Sequence, residues 1–167
     1  MSAQTILLLF VVLSLFKLGG DLVLTVLNLG HVRVNADRVP AAFAGTVDED
    51  TYARSISYTR ARGRFGLLAE GASAAVLLAV VLTGFLGSVD GLVRSLPIHS
   101  SLQGVLFIAV VSFFFWLVEL PFSLYSIFSI EARFGFNRTT PRLFLVDMAK
   151  GLAISAVIGI PVLLGLF

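Results

Sequence analysis

With 57% hydrophobic and 13% charged side chains among 167 residues, and a mean hydropathy of +0.98, this chain holds about half the charge of a soluble domain. That balance indicates a membrane protein and leaves no room for a large soluble domain beside its spans. The absence of cysteine excludes disulfides and thiolate metal sites, and a net charge of +2 gives no footing for nucleic acid as a partner.

Four segments, 5–29, 65–86, 102–120 and 143–167, are long enough to cross about 30 Å of hydrocarbon, which takes about 20 helical residues. The expected fold is all-α and polytopic: one domain over 1–167, four transmembrane helices and an interfacial helical connector. The first segment has no basic residue before Lys17 and no small-residue cleavage site, so it is read as a retained helix, not a signal peptide. Ser14, Lys17, Asp21, Thr25 and Asn28 recur at spacings of 3, 4, 4 and 3, along one helical stripe. A charge at the bilayer centre costs roughly 2.5–3.5 kcal/mol on insertion scales, so the stripe is expected to face the protein interior.

After the first span, Asp48-Glu49-Asp50 supplies acids where a helix start favours them, and no Gly or Pro interrupts the chain from Thr51 to Arg62. The spacing predicts a helix from near Asp48 that runs into the second span. Arg33, Arg38, Arg54, Arg60, Arg62 and Arg64 lie in this connector, and Arg133, Arg138 and Arg142 in the last one; connector 87–101 has only Arg94. Basic residues stay on the cytoplasmic side during insertion, which places 30–64 and 121–142 in the cytoplasm. The amino terminus, connector 87–101 and Phe167 then lie at the outer face, and the expected location is the bacterial inner membrane.

Further along, Pro121 is expected to end or kink the third span. Phe122, Tyr125 and Phe128 recur at i, i+3 and i+6, one face of an interfacial helix. Gly135 suits a left-handed helix terminus, Thr140 and Pro141 suit an N-cap and first helical position, and Pro161 is expected to bend the last span. The Asn137-Arg138-Thr139 sequon is read as accidental, since the charge pattern puts it in the cytoplasm. Glu70, Glu119, Asp147 and Lys150 add ionisable groups to the other spans. Alone, each is an ordinary interhelical contact; together with Asp21, four acids at similar depth suggest pairing or a hydrated cavity.

The stretch 119–141, ELPFSLYSIFSIEARFGFNRTTP, resembles the amino-terminal half of the CAAX prenyl protease 1 family of integral-membrane zinc metalloproteases. The likeness is carried by Glu119, Leu120-Pro121, Tyr125, Phe128, Ile130-Glu131, Phe134-Gly135-Phe136-Asn137 and Thr139. Glu119 stands where the family more often has Asp, and the likeness continues upstream through NLGHVRVNADRVPAAFAG at 28–45. The resemblance implies a ring of seven membrane helices around a water-filled chamber, with zinc on its cytoplasmic side. This chain would supply the first four helices, and Lys17, Asp21, Asn28, Glu70, Asp147 and Lys150 would line the chamber. It also implies zinc in the full-length parent, a carboxy-terminal catalytic half as partner, and a peptide or membrane-protein substrate.

Zinc hydrolysis needs about three protein ligands and an open water position. The family's His-Glu-x-x-His is absent, and the two histidines, His31 and His99, fall on opposite sides of the expected topology. No G-x-S-x-G, P-loop or dinucleotide motif is present, and no motif supports Asp21 and Asp147 as an aspartyl pair. No catalytic or metal residue is therefore assigned. The chain alone is expected to be inactive, with the zinc domain outside it, and its apolar end reads as a piece of a longer polypeptide. Two other classes stay open: a stand-alone four-helix membrane scaffold or binding protein, and a small transporter using the polar stripe as an ion path.

Overall fold

The computed structural model describes residues 2–36, 39–40 and 45–166, all of their regular structure helical. Arg38 and Phe167, which bear on the expected orientation, lie outside the described residues. In chain order the elements are α1 (Ala3–Val34), α2 (Glu49–Leu82), α3 (Phe85–Arg94), α4 (Ser100–Tyr125), a π-helical turn (Ser126–Glu131), α5 (Ala132–Phe134) and α6 (Pro141–Leu166). Four stretches have the length and hydropathy to cross a membrane: α1, α2, the continuous run Ser100–Phe134, and α6.

Three helix starts are closed by a side chain that takes an otherwise orphaned amide. Ser2 Oγ accepts from the Thr5 amide at 3.1 Å, and Thr140 Oγ1 accepts from the Leu143 amide at 3.2 Å. At α2 the Asp48 carboxylate accepts from the Thr51 amide at 2.7 Å and from the Thr51 hydroxyl at 2.8 Å. From there α2 runs for 34 residues, about 51 Å at 1.5 Å per residue. Connector helix and second span are thus one rod, longer than the hydrocarbon is thick.

The second span stops at Leu82 and not at 86. Gly84 takes φ +78, which breaks the helix and lets α3 leave in a new direction. Connector 87–101 is therefore largely a short amphipathic helix, with Val89 and Val93 buried and Asp90 and Arg94 on its polar side. The third span does not end at 120: Pro121 lies inside α4. Proline there removes only the amide that would bond the Leu117 carbonyl, and the helix continues through the π-helical turn to Phe134. The helical connector is the prolongation of the third span.

Gly135 ends this run with φ +79. Its amide donates to the Ala132 carbonyl at 3.2 Å, and the Phe136 amide donates to the Glu131 carbonyl at 2.9 Å, the two bonds of a Schellman motif.

The chain divides into two compact units, one of 1–78 with 124–137, the other of 79–123 with 138–167. In the first, Ile130 is buried and Gly63 admits Leu29 so closely that a Cβ would lie 2.7 Å from its Cδ2. The Tyr52 hydroxyl donates to the Asn35 carbonyl at 2.9 Å, tying the end of α1 to α2. In the second, Val80, Val89, Val93 and Val105 form a small core. Phe85 packs on Phe114, ring centroids 4.9 Å apart. Gln103 Nε2 donates to the carbonyls of Arg94 at 3.3 Å and Leu96 at 3.1 Å, fixing the α3–α4 turn.

The Gly135 cap gives a direct expectation. No atom lies within 4 Å of a Cβ built there, so the cost of a side chain is conformational, about 1–2 kcal/mol for leaving glycine in a left-handed position. Gly135→Ala lowers Tm in detergent by several degrees, while Gly151→Ala, inside α6 with equal space around it, leaves Tm unchanged or raises it. The Asp48 cap predicts a pH effect. The Thr51 amide, and then the Thr51 hydroxyl, hold the Asp48 carboxyl below its ordinary value. This stabilisation is fully present above the unfolded carboxyl pKa of about 3.9 and is lost as pH falls through the lower folded value. Asp48→Asn, measured by Tm between about pH 5 and pH 3, flattens that decline.

Candidate functional site

The first unit gathers three ionisable groups within the membrane-spanning helices. Lys17 Nζ lies 2.5 Å from Asp21 Oδ2, one turn along α1, and 3.7 Å from Glu70 Oε1 on α2. The i, i+4 spacing puts lysine and aspartate on one helical edge, and α2 presents its glutamate to the same point. The half-exposed positions of α1 include Val11, Ser14, Leu18, Asp21, Leu22, Thr25, Leu29 and Val32, a stripe of helical period. Three members of the polar stripe, Ser14, Asp21 and Thr25, lie on this packed face. Lys17 and Asn28 are at its exposed edge.

The same unit holds the Phe134-Gly135-Phe136 segment, and its packing explains the order of residues. The Gly135 turn lets Phe134 and Phe136 both reach Tyr58 of α2, at centroid distances of 5.7 and 4.6 Å. Arg62 donates to the Tyr58 hydroxyl at 2.6 Å. Two helical turns further along α2, Phe65 meets Tyr125 at 4.8 Å. Sequence reasoning placed Tyr125, Phe134 and Phe136 in the signature and Arg62 among the connector arginines, but missed Tyr58 and Phe65 as packing partners. The signal was present: an aromatic pair at i and i+7 on the predicted α2.

In the second unit Glu119 and Asp147 line one cavity of about 320 Å³ with Trp116, Ser123 and Met148. The acids come from α4 and α6. Lys150 is exposed one turn along α6. The sequence singled out both acids and offered pairing or a hydrated cavity for them without indicating which acids would share one.

No cluster of three or more His, Cys, Asp or Glu able to hold a metal ion occurs among the described residues. His31, in the first unit, is flanked by Asn35, and His99, in the second, accepts from the Ser101 amide at 3.3 Å. The residues present do not fit a zinc site, which takes about four tetrahedral ligand positions.

A family profile described as the CAAX prenyl protease N-terminal region, with five membrane helices, matches residues 28–167. The chain belongs to this family. It is 28% identical over 143 residues to CAAX prenyl protease 1 of Saccharomyces cerevisiae, covering 80% of this chain and 32% of that protein. A CAAX prenyl protease 1 homolog of Oryza sativa subsp. japonica is 30% identical over 142 residues, covering 79% and 33%. The crystal structure of S. mikatae Ste24p superposes with a TM-score of 0.84 at 26% identity, covering 94% of this chain and 37% of that one. The chain thus spans about a third of the length of these relatives. It is the N-terminal membrane domain of a CAAX prenyl protease 1-like protein, and an integral membrane protein.

The Lys17–Asp21–Glu70 contact couples α1 to α2. Lys17→Met and Glu70→Gln each lower Tm in detergent more than Leu8→Ala, whose side chain is exposed on α1. The double variant loses less than the sum of the two, as residues sharing one contact do. Additive losses in this cycle disprove the coupling.

Proposed function

We propose that this domain forms part of the wall of a hydrated chamber in a zinc metalloendopeptidase of the CAAX prenyl protease 1 type, with the catalytic zinc held by a carboxy-terminal half. The observation that carries this reading is the Lys17–Asp21–Glu70 cluster, charged groups from two membrane helices that meet at one point with Lys17 still 75% exposed. Lipid does not tolerate such exposure; water or a polar partner does. Glu119 and Asp147, which share a cavity, and Asn28 and Lys150, both exposed, extend the proposed polar lining.

In this reading a carboxy-terminal half would hold the zinc and supply the Lewis-acid chemistry for peptide hydrolysis. The present domain excludes lipid and guides the peptide. The signature from Glu119 to Thr139 sets the geometry near the catalytic region through the Tyr58–Phe134–Phe136 packing. The substrate class is a prenylated peptide at the membrane surface, in keeping with the name CAAX prenyl protease that the relatives carry.

Orientation follows from the arginines, with the start of α2 and the connector after α4 in the cytoplasm. The relatives from S. cerevisiae and O. sativa are eukaryotic and lend no support to the expected bacterial inner membrane.

The test is a chimera in which residues 1–167 replace the aligned segment of the S. cerevisiae protease. The expected result is zinc-dependent cleavage of a farnesylated peptide, suppressed at least tenfold by Tyr58→Ala with protein abundance maintained. A well-expressed chimera that binds zinc yet cleaves nothing overturns the proposal.

A further inference from the structure

The second unit carries two adjoining grooves that share only Trp116 with the proposed chamber lining. The first, about 490 Å³, opens between α3 and the start of α4 and is lined by Asp90, Arg94, Ser100 and Gln103. Arg94 Nε lies 2.7 Å from Asp90 Oδ2, and both side chains remain substantially exposed. The second, about 680 Å³, runs between α4 and α6, with Val105, Ser112 and Trp116 on one wall and Leu152, Ala156 and Gly159 on the other. Ile108 borders both.

Chemistry and dimensions match along this path. Arg94 and Asp90 offer one positive and one negative group side by side, at the end of α4 that opens from a turn. The apolar groove then follows α4 from Val105 to Trp116, about 16 Å at 1.5 Å per residue, close to half of the ~30 Å hydrocarbon thickness. Its volume falls in the ~300–1,000 Å³ range of small-molecule pockets. A polar mouth with both charges, followed by an apolar trough one leaflet deep, has the order of parts of a zwitterionic phospholipid.

We infer that the α3–α4 mouth and the α4–α6 groove together bind one glycerophospholipid with a phosphoethanolamine headgroup. Its phosphate pairs with Arg94, its ammonium with Asp90, and an acyl chain lies along Val105, Ile108 and Trp116. Phosphocholine offers no ammonium donor to Asp90, and phosphoglycerol offers no cation, so the pair discriminates among headgroups by charge and hydrogen bonding. The Gln103 amide, bonded to the Arg94 and Leu96 carbonyls, holds the mouth in shape without a lipid present.

Trp116 is the sole tryptophan of the chain and lines both this groove and the Glu119–Asp147 cavity, so Ala156→Phe, which fills only the groove, assigns its quenching. The chain is reconstituted in phosphatidylcholine vesicles containing the same small fraction of acyl-brominated phosphatidylethanolamine, phosphatidylcholine or phosphatidylglycerol, and Trp116 quenching is measured. Phosphatidylethanolamine is expected to quench at least twofold more than the other two. Asp90→Asn and Arg94→Gln abolish that preference, Arg94→Lys retains part of it, and Ala156→Phe, which fills the groove, lowers quenching by all three lipids. Equal quenching by the three headgroups, stronger quenching by phosphatidylglycerol, or a preference that survives both Asp90→Asn and Arg94→Gln overturns the inference. If a headgroup variant fails to fold, the comparison on the unaltered chain decides alone.

Discussion

A polar group that enters a bilayer must find its partner within the protein, because lipid supplies none. This constraint accounts for more of the structure than burial does. Only five described apolar side chains are buried, all of them Val or Ile, too few to hold six α-helices and a π-helical turn together in water. What the chain does close is its hydrogen bonding. Ser2, Asp48 and Thr140 cap helix starts, and the Gly135 turn returns two amides to the last helical carbonyls. These helices begin and end where the local sequence can satisfy its own orphaned groups.

The same constraint organises the side chains. An isolated lysine in α1 would favour expulsion from the membrane. Placed one turn from Asp21 and opposite Glu70, it becomes part of a contact between two rods. Tyr58 follows similar logic: its ring packs against Phe134 and Phe136 while its hydroxyl accepts from Arg62, so the apolar and polar parts are both satisfied. The signature segment is thus a packing device whose glycine makes the turn and whose aromatics grip α2.

Hydropathy and length made the four membrane helices legible, and cap chemistry made Asp48, Gly135 and Thr140 legible, because these features are local. The errors arose where local rules compete. Of the end or kink that proline at 121 favours, the end does not occur, because one missing amide does not stop the helix. The π-helical turn at Ser126–Glu131 had no readable signal. By inserting an extra residue into the turn it rotates the downstream residues by about 100° relative to a regular helix, so a face drawn through Phe122, Tyr125 and Phe128 does not extend to Phe134. Helix α3 was missed because ten residues lie below the length at which a membrane span or long helix announces itself. In the candidate site, the acids could be picked out from sequence but their grouping could not. Lys17 with Asp21 follows from spacing; Glu70 with Lys17, and Glu119 with Asp147, depend on tertiary register.

Lys17 bears most directly on the surroundings of this domain. It is the fifteenth of 32 residues in α1, near the midpoint of a rod of about 48 Å, and its side chain is 75% exposed. A charged cluster near the middle of a membrane-spanning helix, open on one side, is disfavoured against acyl chains on that side, since a charge at the bilayer centre costs roughly 2.5–3.5 kcal/mol. In the proposed chamber the open side meets water or polar protein. A flat helical sheet in lipid offers neither, whereas a wall that closes with further helices around a wet interior offers both. The charge pattern of α1 and α2 is thus the observation on which the proposed enclosure rests.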